Sequence, residues 1–144
     1  MPSFSAYSKE RIATLHPDMQ RVVNRAITIV DFKVLCGLRN KADQEQALRD
    51  KTSTKDYPLS NHNRSKKADG TYDYTMSDAV DVAPWPIKWP DARSQTTVEY
   101  AKRLGAFYLV AGVMFMAAAI EGVKIRWGGH FKSFFDGPHF ERIP

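Results

Sequence analysis

The sequence contains very little cysteine: Cys36 is the only one among 144 residues. A single thiol excludes any disulfide within the chain, so the fold does not depend on an oxidising compartment. Cys36 lies in the apolar run 32–38. In that setting a cysteine is expected to be a small buried hydrophobic side chain and not a nucleophile.

Long hydrophobic runs and an export signal are also missing. The stretch 104–120 has no charged residue, but it is shorter than the roughly 20 apolar residues that span a bilayer. It also contains Gly105 and Gly112, and it predicts a buried central helix without stable membrane insertion. Residues 1–11 lack the basic-then-apolar pattern of a signal peptide, which predicts a cytoplasmic location in the producing cell.

The sequence has no block of basic residues interleaved with aromatic ones and no cysteine-rich finger spacing. Its net charge of +5 predicts attraction to polyanions, among them nucleic acid, anionic lipid and bacterial cell wall. Charge alone does not choose between these partners. Without a motif, a solvated basic face is favoured over a nucleic-acid interface, so no nucleic-acid partner is expected.

Length and periodicity predict one α+β domain over residues 1–144, and we expect a monomer. Helical spacing and capping signals predict four helices, and short β-favouring runs predict four strands. The predicted helices are 8–15, 17–29, 41–50 and 96–122. The predicted strands are 32–38, 79–82, 124–127 and 139–143, and a loop is predicted at 51–59.

The candidate chemistry lies in three scattered residues, His62, Asp81 and His139. Two imidazoles and one carboxylate suit a catalytic zinc, which takes three protein ligands and leaves a fourth position for water. Asp136 comes three residues before His139 and could be the base that acts on that water. No helical His-x-x-x-His motif is present, so only the fold could bring these residues together.

The surrounding motifs resemble those of a known family. Ser60-x-His62, Ala79-x-Asp81 and Asp136-x-x-His139 are similar to the zinc motif of D-Ala-D-Ala carboxypeptidases, D-Ala-D-Ala dipeptidases and L-Ala-D-Glu endopeptidases, which include many phage endolysins. Gly37-x-Arg39 followed by Gln44 resembles the segment that precedes this motif in the endolysin branch. The resemblance extends from about residue 15 to the end of the chain.

The resemblance implies a fold and a set of roles. The fold would be a small antiparallel sheet with flanking helices, of the type shared by hedgehog and the D-Ala-D-Ala peptidases. His62, Asp81 and His139 would bind zinc, and Asp136 would move the proton. Arg39 would stabilise either the developing oxyanion or a substrate carboxylate, for which a planar fork of donors is suited.

The spacing departs from the family pattern at one place. Eighteen residues separate His62 from Asp81, where the family has six, so an insertion of about twelve residues is inferred at about 63–76, a length that loop-closure entropy tolerates. Its Asp-Gly turn signal and neighbouring tyrosines predict a hairpin that forms part of a wall or lid beside the metal. Ser77 also stands where the family has glycine.

Three further residues are weaker candidates for substrate binding: Ser60, Gln44 and His130. Glu141 follows His139 by two positions, which places both on one face of a strand. It could orient that ligand, or it could be an exposed edge carboxylate. His16 precedes Pro17 at a helix start and is interpreted as a capping residue. The three tryptophans are expected in the core in preference to a substrate groove: Trp85, Trp89 and Trp127.

The leading hypothesis is a zinc endolysin that hydrolyses the L-Ala-D-Glu bond of peptidoglycan after release from the producing cell. A D-Ala-D-Ala carboxypeptidase or dipeptidase shares the metal core and is the nearest alternative. A metal-containing wall-binding or hedgehog-like module without activity is an alternative of another class. Loss of the base or of a ligand would indicate such a module, and the sequence retains Asp136 and all three ligands.

Overall fold

The computed structural model describes residues 1–144 and contains four helices and six strands. In chain order the elements are α1 (Ala6–Ile12), α2 (Pro17–Ala26), β1 (Phe32–Cys36), α3 (Lys41–Arg49), β2 (Ser65–Lys66), β3 (Tyr72–Asp73), β4 (Ala79–Pro84), α4 (Thr97–Glu121), β5 (Ile125–Trp127) and β6 (His139–Arg142). A short 3₁₀ turn, Gly128–His130, follows β5. The predicted α+β class is confirmed, and every predicted helix and strand is present with shifted ends.

Strands β1, β4, β6 and β5 form one antiparallel sheet in that order, and β2 and β3 form a separate ribbon. The inner strand β4 pairs with β1 on one side and with β6 on the other. Asp81 of β4 stands opposite Cys36 of β1 and also opposite His139 of β6. Residues directly opposite each other in an antiparallel pair point to the same face of the sheet. The sheet register therefore places these three side chains on one face.

Helices α2 and α4 pack on each other and on the sheet, and they enclose a core of 20 buried hydrophobic residues. The start of α2 is fixed by Pro17 in its first turn and by His16, whose side chain accepts a hydrogen bond from the Asp18 amide. The capping role predicted for His16 is confirmed. Helix α4 begins with a capping box between Thr96 and Glu99.

The long helix α4 is buried on one face only. Met114 is fully buried, whereas Leu109 is 60% exposed and Ile120 is 57% exposed. The prediction of a buried central helix over 104–120 is therefore correct for one side and wrong for the other. By length and composition alone α4 could cross a membrane, a test that core helices of soluble proteins also pass.

The tryptophans differ in burial. Trp127 is buried and its Nε1–H donates to the Gly137 carbonyl over 2.7 Å. Trp85 and Trp89 are 54% and 49% exposed, so the prediction that they lie in the core is wrong. Both belong to the proline-rich loop between β4 and α4.

Residues 63–76 contain the predicted hairpin, with Ser65 opposite Asp73. It is anchored by Asp78, whose carboxylate accepts hydrogen bonds from the Ser65 hydroxyl and from Arg142 Nε, each over 2.8 Å. No residue of 63–76 lines the main cavity. The expectation that this segment forms a wall or lid of the site is therefore wrong, because its anchor holds it away from the cavity.

Candidate metal centre and catalytic cavity

One cavity of about 430 Å³ gathers most of the residues that the sequence singles out. His62, Asp81 and His139 all contribute to its lining, together with Asp136 and Arg39. These residues come from a loop, two adjacent strands and the loops that enter β6 and leave β1. The fold thus brings together positions that lie far apart in the sequence.

The three predicted ligands present their donor atoms to one point. His62 Nε2 lies 3.2 Å from Asp81 Oδ1 and 3.3 Å from His139 Nδ1, and His139 Nδ1 lies 3.1 Å from Asp81 Oδ1. Ligand atoms that surround a tetrahedral zinc at about 2.0–2.1 Å are separated from one another by about 3.3–3.4 Å. The observed triangle is therefore close to one face of such a tetrahedron, and the donor set fits a zinc ion.

The remaining ring nitrogens of the two histidines have partners that define their tautomers. His62 Nδ1 lies 2.8 Å from the Gly37 carbonyl, so Nδ1 carries the proton and donates it to that oxygen. Nε2 is then the nitrogen whose lone pair can bind a metal ion. His139 Nε2 lies 2.9 Å from Glu141 Oε2 and carries the proton, so Nδ1 is the nitrogen of His139 that can bind a metal ion. Such partners are typical of metal-binding histidines, because they orient the ring and raise its basicity.

Glu141 is itself held in place. Its carboxylate accepts hydrogen bonds from Asn61 Nδ2 over 2.8 Å and from Arg126 Nε over 2.7 Å, and it is 4% exposed. Burial would raise its pKa, but the bonds from His139, Asn61 and Arg126 lower the pKa to about 2. Glu141 is therefore a buried, charged partner of His139, and the alternative of an exposed edge carboxylate is excluded.

Electrostatics within the triangle couple its members strongly. Burial alone would lower the pKa of His62, but the charge and hydrogen bond of Asp81 raise the pKa to about 10. Burial would raise the pKa of Asp81, but His62 and His139 hold that pKa well below its usual range. Without an ion, the negative charge of Asp81 is thus neutralised by a protonated imidazole. The proton then sits on the nitrogen that would otherwise bind the metal.

Cys36 is closer to this centre than the sequence suggests. It is only partly buried, and its Sγ lies with donor atoms of His62 and Asp81 in a group whose members are all within 4.8 Å of one another. This group could bind a metal ion. The interpretation of Cys36 as a small hydrophobic side chain overlooked the register of β1, which places it opposite Asp81.

Asp136 lines the same cavity and makes no side-chain hydrogen bond. Burial, and then the charge of Asp81, raise the pKa of Asp136 above its ordinary value. Its backbone amide donates to the Gly128 carbonyl over 3.1 Å. A Cβ on Gly128 would collide with the Asp136 carbonyl and approach His139 Cβ to 3.1 Å. Glycine at position 128 therefore permits the close approach that carries Asp136 beside the ligand triangle.

Arg39 reaches the centre from the other side. Its Nη2 lies 3.8 Å from Asp81 Oδ2 and its Nη1 donates to Gln44 Oε1 over 3.0 Å. Gln44 is fully buried and does not line the cavity. The prediction that Gln44 contacts substrate does not fit this position, because its amide is used to hold Arg39 and the neighbouring loop.

The other two candidates for substrate binding differ in position. Ser60 lines the cavity, and its hydroxyl accepts a hydrogen bond from the His62 amide over 3.2 Å. His130 lies outside the cavity and stacks on Phe115 with ring centroids 5.8 Å apart. A pocket-lining role for His130 is therefore wrong.

Several lining residues were not predicted. Cations, hydroxyls and two aromatic rings complete the cavity, and most come from segments read only as loops. They are Lys51, Thr52, Ser53, Thr54, Lys55, Asn61, Arg126, Phe131 and Phe134. No periodic pattern indicates such residues, although the sequence Lys-Thr-Ser-Thr-Lys could have drawn attention as a polar run with a charge at each end.

The architecture and the donor set are those of a candidate metallohydrolase: two imidazoles and one carboxylate around a point, with a second carboxylate in the same cavity. A sequence model of the phage L-alanyl-D-glutamate peptidases matches residues 2–143, and the chain belongs to this family. This match covers nearly all of the described structure.

Two individual proteins agree with the family assignment. An L-alanyl-D-glutamate peptidase of Escherichia phage T5 is 27% identical over 156 aligned positions, which cover 97% of each chain. The crystal structure of the Serratia marcescens L-Ala D-Glu endopeptidase ChiX superposes with a TM-score of 0.70 at 28% identity. That match covers 97% of this chain and 89% of the other. Both the family and these relatives indicate an L-Ala-D-Glu endopeptidase that degrades peptidoglycan.

Proposed function

We propose that this protein is a zinc-dependent endolysin that hydrolyses the L-Ala-D-Glu bond of the peptidoglycan stem peptide. The observation that carries the proposal is the triangle of His62, Asp81 and His139 donor atoms, 3.1–3.3 Å apart, in one cavity with Asp136. The names of the family and of its relatives support this scissile bond, and the donor set supports zinc.

The chemistry of the donors supports zinc in preference to harder ions. Two neutral imidazoles and one carboxylate suit zinc, whereas magnesium and calcium are bound mainly by oxygen atoms. When bound, zinc would supply a nucleophile at neutral pH, because it lowers the pKa of water from about 15.7 toward 7. His62, Asp81 and His139 would hold the ion and leave the side facing the cavity open.

Asp136 is assigned the proton transfers. Its carboxylate has no hydrogen-bond partner in the protein, and its raised pKa makes it a stronger base than a solvated aspartate. It would accept the proton of the attacking water and pass it to the amine of the leaving D-glutamate. A pKa closer to the working pH suits a group that must first accept a proton and then return it.

Arg39 is assigned to stabilise negative charge. Its guanidinium lies within 3.8 Å of Asp81 and is oriented by Gln44. A donor fixed in advance at the place where charge develops stabilises the transition state without reorganisation during the reaction. Ser60 is assigned a positioning role, because its hydroxyl holds the backbone of the segment that carries His62.

The proposal includes the setting of the enzyme. It would act as a monomeric single domain on the cell wall after release from the cytoplasm of the producing cell, without membrane insertion. The basic net charge of +5 supports attraction to the anionic wall.

Mass spectrometry of purified peptidoglycan after digestion tests the function. Hydrolysis of the L-Ala-D-Glu bond creates a new C-terminal alanine and a new N-terminal glutamate, and the Asp136→Asn protein serves as the control. Removal of the ion by a chelator should abolish these termini, and zinc should restore them. Release of free alanine would show a D-Ala-D-Ala peptidase instead, and wall binding without new termini would show a module without activity.

A further inference from the structure

One wall of the cavity has no part in holding the ion or moving the proton. It consists of residues 51–55, and every one of these five residues lines the cavity. We call this segment the 51–55 loop. It follows the end of α3, and it supplies two lysines and three hydroxyl groups to the lining.

The 51–55 loop is fixed by the fold. The backbone amides of Thr52 and Ser53 both donate to the Ala47 carbonyl, over 2.9 and 3.1 Å. The buried Gln44 side chain donates to the Ser53 hydroxyl over 2.8 Å and to the Lys55 carbonyl. Because Gln44 also binds Arg39, one amide group sets the position of the loop relative to the ligand triangle. The side chains of Lys51 and Lys55 take no part in these bonds.

The charges of the cavity are unequal. Four cations line it, and they are Arg39, Lys51, Lys55 and Arg126. The cavity has three carboxylates: Asp81 is engaged by the two histidines, Glu141 is engaged by Arg126, and Asp136 forms no ion pair with either lysine of the loop. Lys41 is the only lysine of the chain that pairs with a carboxylate. The two lysines of the 51–55 loop are therefore uncompensated, and a bound divalent ion would increase the positive charge further.

The proposed substrate carries a group that matches this wall. The amine of D-glutamate is part of the scissile bond, and D-glutamate has two carboxyl groups. The stem can continue through only one of them, so the other is a free carboxylate unless it is amidated. The residue that follows can present a second carboxylate of its own. Both groups belong to the leaving half of the substrate.

We propose that the 51–55 loop binds a free carboxylate on the D-glutamate side of the scissile bond, with Lys51 and Lys55 supplying the charge. This inference rests on the proposed function. The hydroxyls of Thr52, Ser53 and Thr54 provide further donors. Charge-assisted hydrogen bonds are about twice as strong as neutral ones, so the loop discriminates a carboxylate from a carboxamide.

Synthetic stem peptides test this inference. Three peptides are needed: one with all carboxylates free, one with the free D-glutamate carboxylate converted to a carboxamide, and one with the carboxylate of the following residue converted. We expect the zinc-loaded wild-type enzyme to cleave the free peptide with a kcat/KM about 10- to 100-fold higher than one of the two amidated peptides, the factor of a hydrogen bond to a charged group. The peptide that loses this factor identifies which carboxylate is bound.

Lysine variants connect that preference to the loop. In the Lys51→Gln/Lys55→Gln double variant the ratio of kcat/KM for free and amidated peptide should fall toward one. In a matched Lys88→Gln/Lys102→Gln variant, which removes two exposed lysines outside the cavity, the ratio should stay as in the wild type. Zinc content should be the same in all three proteins. Because the Gln44 contacts use the Ser53 hydroxyl and the backbone of Lys55, the substitutions leave the loop anchored.

Two results would overturn the inference. One is a wild-type enzyme that cleaves all three peptides equally well, and the other is a double variant that keeps the wild-type ratio. Failure of the proposed function gives a different result, because the L-Ala-D-Glu bond would then remain intact in all three peptides with every protein.

Discussion

His139 Nε2 donates a hydrogen bond over 2.9 Å to Glu141, two residues further along the same strand. The register of β6 against β4 creates this pair, because Asp81 faces His139 and Ala79 faces Glu141. Hydrogen bonds from Asn61 and Arg126 fix the carboxylate of Glu141. The strand thus carries a proposed ligand together with the group that orients it.

Glu141→Gln is expected to weaken zinc binding about 10- to 100-fold, the usual effect of losing a partner that orients a metal-binding histidine. The amide keeps the shape but removes the charge that favours His139 as a ligand. Competition with a chelator of known affinity measures the change. Glu121→Gln is the matched control, because Glu121 pairs with Arg25 away from the site. Equal zinc affinity in the two variants would show that Glu141 does not support His139 as a zinc ligand.

His62→Ala should abolish stoichiometric zinc binding and activity together. The substitution removes one vertex of the donor triangle, and two remaining ligands do not form the three-ligand site of a catalytic zinc. Metal content per chain and peptide hydrolysis are the measurements. His130→Ala is the control, because that exposed ring lies outside the cavity. A His62→Ala protein with one zinc per chain and full activity would disprove the ligand assignment.

Asp136→Asn should keep zinc but reduce kcat by about 10²–10⁴-fold, the range for loss of general acid–base catalysis. The amide fits the same space and cannot accept the proton. Elemental analysis and steady-state kinetics on a stem peptide measure the two effects, and the exposed Asp91→Asn provides the control. Near-normal kcat in Asp136→Asn would assign the base to another group.

Zinc affinity should rise with pH. In the metal-free protein Asp81 raises the pKa of His62 to about 10, so His62 is protonated at neutral pH and zinc must displace that proton. Affinity should increase roughly tenfold per pH unit for each proton displaced, up to about pH 10. Calorimetry in two buffers of different ionisation enthalpy counts the protons. An affinity that is constant from pH 6 to pH 9 would contradict the protonated state.

The same shifts set the pH dependence of the metal-free fold. The raised pKa of His62 contributes stability that is fully present below the pKa of an unfolded histidine and is lost as pH rises toward 10. The depressed pKa of Asp81 contributes stability that is fully present above the pKa of an unfolded aspartate. This stability is lost as pH falls from that value toward the lower pKa of the folded protein. Thermal unfolding of chelated protein across pH should therefore show an optimum between these limits.

Local signals predicted the helices well and their ends less well. Helix α4 was predicted over 96–122 and is found at Thr97–Glu121, capped by Thr96 and Glu99 and ended by Gly122 in a left-handed conformation. Strand β1 was predicted to run to 38 but ends at Cys36. A Cβ on Gly37 would lie 2.6 Å from the Arg11 carbonyl, so the chain there passes tightly against the last turn of α1 and leaves the sheet. That contact depends on tertiary packing and has no local signal.

Only part of the site was predicted, because the remaining part also depends on tertiary contacts. The proposed ligands and Asp136 could be named from the sequence because each lies in a short motif. Gln44 was recognised as belonging to the site, but its burial follows from how the 51–55 loop folds back over α3. The hairpin was predicted correctly as a local structure, whereas its distance from the cavity is set by the contact between Asp78 and Arg142, which are 64 residues apart. Local patterns describe elements, and long-range contacts decide which elements enclose the cavity.

The donor triangle joins segments that are 19 and 58 residues apart along the chain. A chain with one cysteine has no internal disulfide. An ion bound at the donor triangle would instead cross-link these three segments. It would close two loops, one of them long, and a long closed loop removes much conformational freedom from the unfolded chain. Loading with zinc would then protect the chain from unfolding and from proteolysis.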